Sequence, residues 1–146
     1  MSRSSKISRK LREQRASRDY TAATVNNNKP HRNLMAWQKS MDFAVRIYEL
    51  TRRFPKEELY ALTSQLRRAA VSGPSNIAEG AAGRTQQQFS NYLSNAIGSF
   101  NEIDTQLELA LRLGYVTGSE YDRSFQALDE CLALTYGLRK SVSRNH

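Results

Sequence analysis

Residues Ser72–Arg84 read SGPSNIAEGAAGR, a proline and three glycines set between flanks of helical composition. Such a stretch can be a phosphate-cradling loop, an active-site elbow, or a break in a helix that serves architecture alone. A Walker loop needs GxxxxGK[ST] after a strand, but Gly73 is followed five residues later by Ala78 and nothing before it reads as a strand. The dinucleotide fingerprint GxGxxG is absent as well. A helix accommodates the segment better. Pro74 has no N–H for the Ala70 carbonyl and its ring crowds that group, so the helix is expected to bend or restart there. Gly73 tolerates the awkward position before proline, while Ser72, Ser75 and Asn76 are placed to hydrogen-bond freed backbone groups. Gly73, Pro74, Ser75 and Asn76 are thus predicted to form a helix kink, with Ile77 and Ala78 facing the core and Gly80 and Gly83 turning the chain toward Thr85.

Outward from this segment the pattern is helical from Leu34 onward. Leu34, Trp37, Met41, Ala44, Tyr48 and Thr51 recur at steps of three and four, with Phe43, Ile47, Leu50 and Phe54 as a second stripe. Phe54-Pro55 ends that helix, because the residue before proline is pushed out of the α region. Lys56-Glu57-Glu58 is expected to open the next, which carries Leu59, Leu62, Leu66 and Ala69. The third helix has the clearest stripe: Phe89, Leu93, Ala96, Phe100, Ile103, Leu107 and Ala110. It begins at the capping pattern Thr85-Gln86-Gln87-Gln88 and stops at Gly114. Thr117-Gly118-Ser119-Glu120 repeats the start signal, followed by Tyr121, Phe125, Leu128, Leu132 and Thr135, with Cys131, Leu134, Leu138 and Val142 on an adjoining face. Four such helices joined by short turns predict an all-α fold, an antiparallel up-down four-helix bundle over residues 34–146. The first and fourth show apolar positions on more than one face, a surplus suited to a subunit interface.

Charge is unevenly spread. The 146 residues carry a net charge of +8, and residues 1–33 hold nine basic residues against Glu13 and Asp19. That leaves the bundle close to neutral, with its acids concentrated in residues 85–138. The first 33 residues have too few large apolar side chains to offset ordering entropy, so they read as a disordered basic N-terminal arm, with a short helix around Ser8–Ser17 available on binding. Arg3, Lys6, Arg9, Lys10, Arg12, Arg15 and Arg18 make it a candidate contact for polyanions, because each neutralised phosphate releases condensed counterions. A transit peptide and a solvating tail are the competing readings of the arm. In the bundle, Arg52, Arg53 and Lys56, and Arg67 and Arg68 with Arg84, are the remaining nucleic-acid-binding candidates. Neighbouring helical residues point about 100° apart, so one arginine of each pair can meet an acid while the other meets phosphate.

The residues LTSQLRRAAVSGPSNIAEGAAGR (Leu62–Arg84), with Trp37-Gln38-Lys39, Ile47-Tyr48 and Phe54-Pro55-Lys56-Glu57 before them, resemble the four-helix bundle family of ribosomal RNA intervening-sequence proteins. Phe89, Gly98-Ser99, Glu102, Thr105-Gln106-Leu107 and Leu113-Gly114-Tyr115 extend the resemblance, which covers roughly Leu34–Val142 and leaves out the arm. It implies a homo-oligomer, by analogy with ring-like homopentamers. The accessory variability proteins of diversity-generating retroelements are similar to this family, which implies nucleic-acid binding (RNA or DNA) and a reverse transcriptase as a possible partner. A scaffold that docks such an enzyme is the alternative to a nucleic-acid-binding accessory protein. The nearly neutral bundle departs from the strongly basic type and shifts weight onto the arm. Gly73 stands where many relatives carry an apolar residue.

Catalytic chemistry finds little support. His31 falls in the arm and His146 is the last residue, each without a rigid carboxylate or cysteine neighbour for a triad or metal site. Glu79 and Glu102 suit a hydrogen bond or an ion pair with Arg67 or Arg68 better than a catalytic dyad. Cys131 sits among leucines as a packing thiol. No Glu-x-x-His pair for a bundle metal site occurs, so no catalytic residue, metal or cofactor is expected. A single cysteine, no apolar run near the ~18 residues of a membrane span, and no apolar leader suggest a reducing cytoplasmic setting.

Overall fold

The computed structural model describes the backbone of residues 3–24 and 28–144, and the side chains of residues 3–13 and 28–144. Among them five α-helices form: α1 (Arg3–Thr24), α2 (Met35–Thr51), α3 (Leu62–Ala81), α4 (Gln86–Arg112) and α5 (Gly118–Arg144). Helices α2 to α5 pack up and down, each beside its successor, and α5 closes the square against α2. The loops follow from local chemistry. Thr85 Oγ1 accepts the Gln88 N–H at 3.1 Å and starts α4. Gly114 ends it at φ +77°, where Tyr115 N–H reaches back to the Ala110 carbonyl at 2.9 Å and Gly114 N–H to Leu111 at 3.0 Å. Thr117 and Glu120 then form a reciprocal box at the head of α5: Glu120 N–H donates to Thr117 Oγ1 (3.1 Å) and Thr117 N–H to Glu120 Oε1 (2.9 Å).

Two ends differ from expectation. Lys56–Glu58 is a 3-10 turn, and α3 begins only at Leu62. The Glu58 carboxylate explains the delay, since it accepts the Leu62 N–H at 3.2 Å and the Tyr115 hydroxyl at 3.1 Å, capping the later helix and leaving Leu59 exposed. At the other end, the bundle starts before Leu34. Pro30–Asn33 form a 3-10 turn whose His31 ring meets Trp37 edge-on at 4.8 Å, and Gln38 Nε2 donates to the Arg32 carbonyl at 2.7 Å. Arg3–Thr24, expected as a disordered arm with a short inducible helix, is one long α-helix that buries none of its described side chains. Alternating bases and small polar residues, free of proline and glycine, allow this local order without a core.

The core follows the α4 stripe. Leu93, Ala96, Phe100, Ile103, Leu107 and Ala110 are fully buried, against Leu66, Ala70 and Ile77 of α3, Phe43 and Ile47 of α2, and Leu128 and Cys131 of α5. Helix α2 departs from its first predicted stripe. Trp37, Ala44 and Thr51 are buried, but Met41 and Tyr48 are 39% and 40% exposed, because Ala36, Ser40, Phe43, Ile47 and Leu50 take the core side. At 3.6 residues per turn Met41 and Tyr48 fall about 140–160° around the helix from Phe43, past the edge of a buried arc that still includes Trp37, Ala44 and Thr51.

Of the two outcomes expected at Pro74, a bend or a restart, the restart does not occur. Helix α3 runs through Pro74 without restarting, and both Gly73 and Pro74 are buried. Gly73 serves packing. A β-carbon built there would stand 2.5 Å from Phe100 Cε1 and 2.7 Å from Cζ, well inside contact distance. Gly80 does the same about two turns later, where a β-carbon would lie 2.9 Å from Phe89 Cδ1 and from Tyr92 Cβ. Asn76 Nδ2 donates to the Ser72 carbonyl (2.8 Å) and hydroxyl (3.0 Å), and Ser99 Oγ of α4 donates to Ser72 Oγ (2.9 Å). Ser72 thus ties α3 to α4, Asn76 braces Ser72 within α3, and Ser75 is exposed.

Glycine to alanine in a helix interior gains about 1 kcal/mol of propensity, whereas forcing a methyl into a packed aromatic costs about 1–3 kcal/mol. Phe100 is fully buried, so the clash wins. Gly73→Ala should lower unfolding free energy in urea, by up to about 2 kcal/mol. Adding Phe100→Leu should make the pair less destabilised than the sum of the single changes.

Candidate nucleic-acid interface

The basic residues singled out by sequence separate to different regions of the molecule. Arg52 and Arg53 lie at the end of the bundle where α2 stops and α5 starts, with Lys56 in the adjoining turn. Arg84 sits in the α3–α4 turn, at the opposite end. Arg3, Lys6, Arg9, Lys10 and Arg12 are exposed along α1, where Arg9 pairs with Glu13 at 2.8 Å. Arg15 and Arg18 fall on the same helix, with side chains outside the described residues.

At the α2–α5 end a cleft of about 550 Å³ gathers five arginines: Arg46, Arg52 and Arg53 from α2 and its end, Arg123 from α5, and Arg9 from α1. Glu49 and Glu120 are its carboxylates. Glu120 is committed twice, since Oε1 holds the start of α5 while Oε2 pairs with Arg53. An exposed ion pair of this kind contributes about 1 kcal/mol or less, so Arg53 remains available to a competing anion. The pair at positions 52 and 53 therefore divides as expected, one meeting an acid and the other open to solvent. Arg46 and Arg123 escaped the sequence reading. The spacing Arg46, Glu49, Arg53 marks one face of α2, but only the antiparallel docking of α5 on α2 brings Arg123 beside it.

The model of the 23S rRNA-intervening sequence protein family matches residues 32–137. The chain belongs to that family. Its fold is similar to the crystal structure of a protein of unknown function from the S23 ribosomal protein family of Bacteroides thetaiotaomicron, at 29% identity and a TM-score of 0.67, covering 72% of this chain and 95% of that one. Among curated proteins none matches. The family match begins within the 3-10 turn at Pro30–Asn33 and leaves α1 outside.

Arg67 and Arg68 take different roles in this family member. Arg67 Nε donates to Thr51 Oγ1 at 2.9 Å and its guanidinium lies 4.8 Å from the Tyr48 ring centroid, so it braces α3 against α2. Arg68 is exposed. It borders two grooves, one apolar toward α2 and one polar toward α4 with Gln65, Glu102 and Gln106. Near the opposite end Arg139 donates to Ser94 Oγ at 3.2 Å and covers Tyr136.

The residues weighed for catalysis fall into ordinary surroundings. Burial, then Arg32 and Lys29, holds the His31 imidazole below its usual value. Among the described residues no group of three or more His, Cys, Asp or Glu is placed to hold a metal ion, and no helix is long and apolar enough to cross a membrane. Burial pushes the Cys131 thiol up to about 11, against a smaller opposing hydrogen bond from Ser40.

A thiol raised so far is almost wholly protonated near neutrality and does not act as a nucleophile. Cys131 should resist iodoacetamide at about pH 8 in the native protein and react promptly once urea unfolds the chain. Because its folded value exceeds the ordinary 9.0, its contribution to stability is complete below that value and is lost as pH climbs toward about 11. Tyr115 and Tyr121, also raised by burial, add to the same alkaline loss, and Cys131→Ala should remove the cysteine share alone.

Proposed function

We propose that this chain is a non-enzymatic, cytoplasmic nucleic-acid-binding protein that works as an oligomer, in the manner of a ribonucleoprotein accessory protein. The convergence of five arginines on one cleft at the α2–α5 end carries the reading. Guanidinium groups favour phosphate because their planar fork pairs two oxygens at once. Arginines spaced along a cleft, one of them Arg9 from a basic helix, suit a phosphate backbone better than a single small anion. Helix α1 supports the same reading, since its exposed bases extend the positive surface beyond the bundle. The two carboxylates in the cleft moderate the field, which favours binding at low ionic strength.

Association of subunits draws its support from α2 and α5. Met41 and Val45 are exposed on one, and Phe125 and Tyr136 are exposed on the other. A second copy covering these residues is the natural use of that surface.

Binding of labelled RNA and DNA, measured over a range of salt concentrations, tests the function. Affinity should fall steeply with salt, and Arg52→Ala/Arg53→Ala/Arg123→Ala should flatten the log–log slope by about 2–3. Removing residues 1–27, which spares the turn packed on Trp37, should weaken binding further. Binding insensitive to both salt and these changes would contradict the reading.

A further inference from the structure

On the far side of α2 from the arginine cleft lies a groove of about 620 Å³, lined by Tyr48, Leu59, Tyr60, Arg67, Arg68 and Val71 among others. Tyr60 is 93% exposed, an aromatic ring left almost bare. Its backbone is nevertheless held in an ordered turn, because Leu59 N–H bonds to the Lys56 carbonyl at 3.1 Å and Ala61 N–H to Glu58 at 3.0 Å. Glu58 in turn fastens this turn to the start of α3 and to Tyr115. Beneath it Tyr48 is braced by the Arg67 guanidinium. The groove therefore combines two aromatic rings on firm supports with two guanidinium groups, and its lining includes no carboxylate.

We propose that this groove takes an unpaired nucleotide of a single-stranded nucleic acid, with the base stacked on Tyr60 and its phosphate held by Arg68. The proposal rests on the nucleic-acid reading of the arginine cleft and names the form of the ligand. Duplexes bury the faces of their bases and offer phosphates alone. An unpaired base offers a π-face to tyrosine, and each such stack is worth about 1–3 kcal/mol. The volume lies within the range of small-ligand sites. The arginines and the lack of acid in the lining favour an anionic occupant, and the bare Tyr60 ring beside them suits one that also carries a flat aromatic group.

The experiment uses the full chain with a labelled oligonucleotide of about 12 unpaired residues and a duplex of equal length, in dilute buffer. Tyr60→Ala should weaken binding of the unpaired strand about 10-fold or more and leave the duplex unchanged. Tyr60→Trp should retain affinity, with indole fluorescence quenched by the unpaired strand alone. Tyr60 is exposed, so thermal unfolding should show both variants folded. If Tyr60→Ala binds the unpaired strand as well as the wild type does, the groove proposal fails while the cleft reading stands. If that variant instead loses subunit association in light scattering with unchanged strand binding, a second copy occupies the groove and the proposal is overturned. Wild-type protein that binds neither oligonucleotide overturns both readings.

Discussion

Close approach of α3 and α4 at Gly73 is the constraint on which the bundle depends. The Phe100 ring occupies the space that any other side chain at position 73 would claim, and the same economy repeats where Gly80 meets Phe89 and Tyr92. Backbones brought together this way let small polar groups reach across, as Ser99 does to Ser72. With this pair fixed, α2 and α5 are positioned by what remains of the core: Phe43 and Ile47 from one, Leu128 and Cys131 from the other. The glycine-proline pair, placed where the sequence expects a bend, is also a contact surface in the fold. Pro74 removes one backbone donor in a helix whose neighbouring turns are pressed against a partner, and packing there outweighs the lost hydrogen bond.

Much of the fold was legible because each signal acts locally. The α4 stripe keeps its spacing over its whole length and ends at a glycine that takes positive φ. Thr85 and Thr117 each cap the helix they precede. Misreadings arose where two local options competed. Met41 and Tyr48 fit a helical stripe as well as Phe43 and Ile47 do, and only the docking of neighbours decides which stripe is covered. Glu58 suited an early helix start by its charge, yet its carboxylate reaches forward to Leu62 and delays it.

The candidate surfaces were less legible for a geometric reason. Arg52 and Arg53 were apparent as a pair, but the cleft they join needs Arg46 from earlier in α2 and Arg123 from a helix much later in the chain. The groove on the other side depends on Tyr60, which lies in a turn and belongs to no stripe. Arg67, an equal of Arg68 in the sequence, proves to be a strut between α2 and α3. Adjacent identical residues on a helix meet different surroundings, and their roles separate only when neighbouring helices are in place.

Glu120 splits its duties between its two oxygens: one holds the first turn of α5, the other faces Arg53. An incoming phosphate can therefore displace the carboxylate from Arg53 without unravelling the helix behind it. On the nucleic-acid reading proposed above, occupancy of the cleft and integrity of the scaffold would be decoupled at that residue.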